Sequence, residues 1–240
     1  HHFIPSFRDT RVWRAGTVEE PELEPAARPI NIWNLLTHTS GLTYGFMRAH
    51  PVDALYRQAG YDFGLPDGVD LAGMCDAIAA QPLLFQPGTE WNYSVGFDVL
   101  GRVLEVVSGK PLDELMRTRL LEPLAMHETT WSVPEANRAR VAKLYGAEPG
   151  TGTTIPLDEL GEAVFRPPRI LGAGGGLQST ALDHHRFTQM LVNMGQLDGV
   201  RILSPRTVRY LASNHLPGMG RQIALQAATG QESLVAAAGR

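Results

Sequence analysis

Residues 87–121 read PGTEWNYSVGFDVLGRVLEVVSGKPLDELMRTRLL, and spacing alone traces two consecutive helices in them. After the turn at Pro87 and Gly88, the residues Val95, Val99, Leu100, Val103, Leu104 and Val107 recur three and four apart. That is one face of a helix, and Gly109 offers a left-handed stop. Gly96 and Gly101 interrupt the same face. Each costs up to about 1 kcal/mol relative to alanine in a helix, so a neighbour packed close against the backbone is expected there. Pro111 then stands at the first position of PLDELMRTRLLEPL, which carries Leu112, Leu115, Met116 and Leu120 on one side. The pair predicts a buried helical hairpin, with Tyr93 directly before its first helix.

Outward from this hairpin the chain is punctuated by proline and glycine, with no internal repeat. Upstream, NIWNLLTHTSG predicts a helix from Asn31 as N-cap to Gly41, and residues 51–60 and 70–80 are two more, separated by the turn-rich YDFGLPDG. Residues 10–30 have short apolar pairs around a glycine and an acidic, proline-rich centre, as in a small hairpin or irregular arm. Downstream, the glycine-rich RPPRILGAGGGLQS feeds STALDHHRFTQMLVNMG, where Thr180 and Asp183 form a capping box and Gly195 terminates. Ser204 followed by Pro205 starts a further helix.

Composition and motifs narrow the chemistry. With 240 residues the chain is long enough to bury roughly 70–75% of its unfolded surface, as one large or two small domains. A formal charge of -4 and a pI near 6.1 give no basic footprint for nucleic acid, and no Lys/Arg run marks a membrane surface. No apolar stretch approaches the ~20 residues that span a bilayer, so a soluble chain is expected, with the compartment open between cytoplasm and periplasm. The single cysteine, Cys75, rules out an internal disulfide. It lies in DLAGMCDAIAAQ without a basic neighbour and is read as a core thiol. No serine sits in G-x-S-x-G. His127 and Glu128 lack a second histidine one turn on, and His184 and His185 point to different sides of their helix with no third ligand. Gly174, Gly175 and Gly176 lack the lysine of a phosphate loop. Metal and nucleotide sites are therefore not expected.

Three blocks in order, IWNLLTHTSGL, QPGTEWNYSVGFDVLGRVLEVVSGKPLDELMRTRLLEPLAMHETTW and GGGLQSTALDHHRFTQMLVNMG, resemble the serine β-lactamase-like superfamily over most of residues 30–215. The nearest resemblance is to family VIII carboxylesterases, relatives of class C β-lactamases and penicillin-binding proteins. It implies an α/β (α+β) fold in which an antiparallel sheet is flanked by helices and joined to an all-helical domain, with the active site between them. This chain is then mostly helical: residues 1–30 an arm or hairpin from the α/β part, 31–200 the mainly helical domain, and 201–240 an incomplete return toward the α/β part.

The resemblance also implies acylation of a serine in S-x-x-K, with the lysine and a tyrosine of the helical domain as proton-transfer partners. Tyr93 falls on that tyrosine. Alone, a tyrosine at a helix entrance is usually a packing residue; the three ordered blocks reverse that expectation. A phenol, ordinarily with a pKa near 10, needs a cation and a helix N-terminus to act as a base. Tyr44 and Val95 are candidates for the substrate pocket, and His38 is read as a packing or capping group at a helix end.

Two departures stand out. The chain has two lysines, Lys110 and Lys143, preceded at the third position by Val107 and Arg140, so neither completes S-x-x-K, and no K-T-G motif follows. The resemblance places the nucleophile helix before residue 1 and the closing strand after residue 240, supplied by another segment or a second chain, so a fragment is expected. Secondly, the lactamase-type Y-x-N reads Tyr93-Ser94-Val95 here. Valine cannot bond a substrate amide, which favours esters, although Val95 can equally face the core. The expected function is a serine hydrolase of short-chain carboxylic esters, with a small-molecule ester as its partner and no cofactor. The alternatives are a β-lactamase or D,D-peptidase-like hydrolase, or a non-catalytic binding protein of the same fold.

Overall fold

The computed structural model describes residues 1–62, 66–148, 150–216 and 218. The chain begins with an antiparallel hairpin of β1 (Arg11–Gly16) and β2 (Pro21–Pro25). The arm or hairpin expected over residues 1–30 thus contains a ladder, with a register shift between Trp13 and Ala15. Trp13 and Val12 also tie β1 to the strand-like Leu83, through the Trp13 N–H to Leu83 O bond at 2.8 Å.

Asn31 caps α1 (Ile32–Leu36) by accepting the Asn34 N–H at 2.9 Å, and Asn34 Oδ1 accepts the Asn31 N–H in return. The helix stops well short of the expected Gly41. Its last carbonyls are shared: Trp33 O accepts both the Thr37 N–H at 3.0 Å and the Thr37 hydroxyl at 2.7 Å, and Asn34 O accepts the Thr39 N–H, five residues on, at 2.8 Å. Short hydroxyl side chains compete with the helix ladder in this way, and His38 leaves in the left-handed region at φ 55°.

Helices α2 (Pro51–Gln58) and α3 (Leu71–Ala79) lie where the spacing placed them, capped by His50 and Asp70. The turn expected at 61–68 falls partly outside the described residues. The central helix α4 (Gly96–Ser108) ends on Gly109 at φ 67°. Its buried stripe is narrower than the sequence suggests: Val95, Val99 and Val103 are buried, but Leu104 and Val107 are 44% and 64% exposed. Close approach at the glycines is observed. A Cβ on Gly101 would lie 2.8 Å from Ala173 Cβ, and one on Gly96 3.1 Å from Leu35 O.

Pro111 is the N-cap of α5 (Leu112–Met116), one place earlier than expected, and a widened π-helical turn, Arg117–Leu121, extends it. A small hairpin, β3 (Tyr145–Ala147) with β4 (Thr154–Pro156), leads to α6 (Asp158–Ala163). Helix α7 (Ala181–Val192) is capped by the Thr180 hydroxyl, but the expected capping box is one-sided. The buried Asp183 carboxylate turns away to accept the Glu128 N–H and the Thr129 hydroxyl, each at 2.9 Å, fastening α7 to the segment after α5. The two-residue strands β5 (Gln196–Leu197) and β6 (Val200–Arg201) pair before α8 (Pro205–Leu211), which Ser204 caps.

The main core joins the arm to α2, α3 and α4 through Val12, Val52, Tyr56, Cys75, Ile78 and Val99, and a smaller cluster gathers Leu121, Leu124, Met126 and Met190. Mostly helical structure with short antiparallel pairs is what the sequence led one to expect. The return toward a sheet expected over 201–240 lies largely outside the described residues. Among the described residues no helix is long and apolar enough to cross a membrane.

Candidate active site

Two irregular segments, residues 38–44 and 84–95, lie side by side and are laced together by their backbones. The Leu84 N–H donates to Gly41 O at 2.8 Å, Gly88 to Thr39 O at 2.7 Å, Asn92 to His38 O at 2.9 Å and Val95 to Thr43 O at 3.4 Å. Asn92, 2% exposed, completes the joint by donating its side-chain amide to Leu42 O at 2.9 Å and Tyr93 O at 3.1 Å. A buried amide with its donors satisfied fixes backbone in one geometry. The Tyr93 main chain is therefore held rigidly while its side chain is exposed.

Tyr93 stands three residues before Gly96, not directly against the helix as the sequence suggested, because Val95 is the N-cap. The buried Ser94 Oγ instead accepts the Gly96 N–H at 3.3 Å, so a hydroxyl rather than the phenol meets the first turn. Val95, expected in the substrate pocket, is instead 5% exposed and packed in the main core, because it is the N-cap residue from which α4 turns inward.

His38, past the end of α1, packs its ring against Trp91, Tyr93 and Phe97 at centroid distances of 6.0, 5.2 and 5.0 Å. Its Nδ1 is 3.2 Å from Ser94 Oγ, and burial lowers its pKa, so the imidazole is neutral at pH 7. This is a packing group, as expected, though outside a helix. Tyr44 lies on the other side of Tyr93. Its ring stacks on Phe46 at 4.8 Å and meets Tyr93 at 5.1 Å.

The Tyr44 hydroxyl is hydrogen-bonded to Tyr93 and to Asp98, and burial first, then the Asp98 charge, hold its pKa far above the usual phenol range. Tyr44 is thus a fixed, protonated phenol. Asp98, in the first turn of α4, is 8% exposed. Burial raises its pKa, opposed by hydrogen bonds from the Gly174 and Ala173 amides and from Tyr44. The Gly174 bond is 3.1 Å long. A Cβ on Gly174 would lie 3.1 Å from Asp98 Oδ2 and 3.4 Å from the Tyr44 oxygen, so glycine is what permits this approach. The glycine-rich stretch is a collar around Asp98, not an anion cradle. Sequence reasoning missed Asp98 and Asn92; the available signal was an acid embedded among the apolar residues of α4.

Beyond the collar, an apolar groove runs between α1, α4 and α5, lined by Leu36, Phe97, Leu104, Met116 and Trp131. No group of three metal-ligating side chains occurs among the described residues. Local chemistry is confined to two phenols, one carboxylate and one neutral imidazole, which can position and transfer protons.

Comparison with known proteins finds relatives of this chain. The family model described as Beta-lactamase matches residues 9–232. Protein Rv1367c of Mycobacterium tuberculosis is 40% identical over 192 residues, covering 80% of this chain and 46% of that protein. Lovastatin esterase of Penicillium rubens is 34% identical over 200 residues, covering 82% and 47%. The simvastatin synthase LovD of Aspergillus terreus superposes with a TM-score of 0.73 at 22% identity, over 93% of this chain and 53% of its own, a likeness of fold. The chain spans about half the length of the curated relatives it matches.

Proposed function

Because the chain belongs to the Beta-lactamase family, whose fold it has, we propose that the full-length protein hydrolyses short-chain carboxylic esters through an acyl-enzyme, with Tyr93 as its proton-transfer group. The observation that carries this is the presentation of Tyr93: an exposed phenol on a backbone locked by Asn92, in contact with a phenol that stays protonated. In this reading the serine and lysine of S-x-x-K come from outside residues 1–240. The serine oxygen attacks the ester carbonyl and gives its proton to the Tyr93 oxygen, whose own proton has first passed to the lysine of S-x-x-K. Tyr93 returns that proton to the departing alcohol oxygen, and water then enters by the same route to release the acid. Tyr44 is a poor substitute as base, since burial and Asp98 disfavour its phenolate.

Preference for esters over β-lactams is supported by Tyr93-Ser94-Val95, since Val95 is turned into the core and position 95 offers a substrate amide no partner. A polar site that lacks a partner for a substrate amide loses discrimination in its favour. The 34% identity to a protein named as an esterase supports the same choice. Steady-state kcat/KM of the full-length protein on p-nitrophenyl acetate should exceed that on nitrocefin. The reverse ranking would make the protein a β-lactamase in spite of Val95.

A further inference from the structure

We propose that His38 is a positioning residue for the Tyr93 phenol, gripping residues 92, 93 and 94 from one point. The proposal deepens the esterase reading and rests on it. The bonds from Asn92 fix where the Tyr93 side chain begins, not where its hydroxyl ends. That side chain is 39% exposed, and an exposed tyrosine has several staggered rotamers open to it. Proton transfer needs one of them, since a displacement of about 1 Å at a reacting group costs on the order of 10²-fold in rate. A wall beside the ring is required, and the wall must itself be fixed.

His38 supplies that wall through three separate groups. Its carbonyl accepts the Asn92 N–H at 2.9 Å, its Nδ1 is hydrogen-bonded to the buried Ser94 Oγ at 3.2 Å, and its ring meets the Tyr93 ring at 5.2 Å with a 52° tilt. The residues on either side of Tyr93 thus hold the imidazole in register with the ring it touches. Trp91 and Phe97 steady it further, edge to face, at interplanar angles of 77° and 75°. The backbone of His38 is committed to this arrangement. It lies at φ 55°, in the left-handed region that most side chains avoid and histidine enters more readily. Such a conformation persists only where the surroundings over-determine it, and it gathers at functional sites. Burial keeps the ring neutral at pH 7, so it brings no charge to the phenol and acts by shape.

A double-mutant cycle in the full-length protein tests this, because groups that act through one another lose activity non-additively. His38→Asn suits the left-handed backbone and keeps a polar atom at the position of Nδ1, but it deletes the ring. It is expected to lower kcat on p-nitrophenyl acetate by about 10- to 100-fold with little change in KM, the scale of a misplaced reacting group. In a Tyr93→Phe background no phenol is left to position, and the same substitution should cost less than about twofold. Wild-type kcat in His38→Asn, or an equal loss in both backgrounds, would overturn the proposal while leaving the esterase reading intact. Should His38→Asn lack a cooperative melt, Ser94→Ala, which releases Nδ1 from its anchor, decides by the same comparison. A loss confined to the background that carries Tyr93 sustains the role, and no loss or an equal loss overturns it. Full kcat in Tyr93→Phe, or no ester turnover by the wild type, would sink the esterase reading and this role with it.

Discussion

Tyr93 is exposed where its neighbours in sequence, Asn92, Ser94 and Val95, are buried. Phenylalanine at this position keeps the ring contacts with His38 and Tyr44 and removes only the hydroxyl, so it separates function from folding. Tyr93→Phe in the full-length protein should lower kcat on p-nitrophenyl acetate by roughly 10² to 10⁴ while thermal unfolding stays cooperative. An unchanged kcat would remove Tyr93 from the mechanism. Individual residues differed in how far the sequence disclosed them. Cys75 was legible, because a cysteine in a helix with no basic neighbour in the sequence reads as a core thiol. It is fully buried, and burial pushes its pKa up to about 12. Asp98 was not legible, because its partners Tyr44 and Gly174 are distant in sequence and no spacing rule connects them.

At the scale of the element, α4 joins the fold to the site. Its period-3.6 pattern and Gly109 stop were readable from sequence because both are local properties. The width of its buried face was not, since Leu104 borders a groove formed with α1 and α5 and nothing in α4 itself reports that. The early end of α1 was likewise hidden, as it depends on Thr37 and Thr39 hydrogen bonds that outcompete another helical turn. Gly101 offers a direct test of packing against propensity. Alanine is favoured in a helix by up to about 1 kcal/mol. Its Cβ, however, would meet Ala173 Cβ at 2.8 Å and Leu112 Cδ2 at 3.3 Å, and overpacking of this kind costs about 1–3 kcal/mol. Gly101→Ala should therefore lower the melting temperature by several degrees. A rise would mean that the 172–176 loop yields freely and does not press on α4.

Across the whole molecule, α4 and the 172–176 loop border both the Tyr44–Asp98 pair and an apolar groove lined by Phe97, Leu104 and Trp131, and Tyr93 packs against Tyr44. The described strands form three two-stranded pairs, and the chain matches about half the length of its curated relatives. Fold class was legible because three ordered blocks span most of the chain, whereas a reaction needing residues on both sides of a cleft cannot be read from one side. The claim that acyl transfer occurs here thus depends on a serine beyond residues 1–240. Fluorophosphonate labelling of the full-length protein, followed by intact mass and peptide mapping, tests it most directly. One adduct is predicted, on a serine of an S-x-x-K sequence outside these 240 residues. No adduct, or an adduct on a serine within them, would contradict the assignment of Tyr93 to a serine esterase.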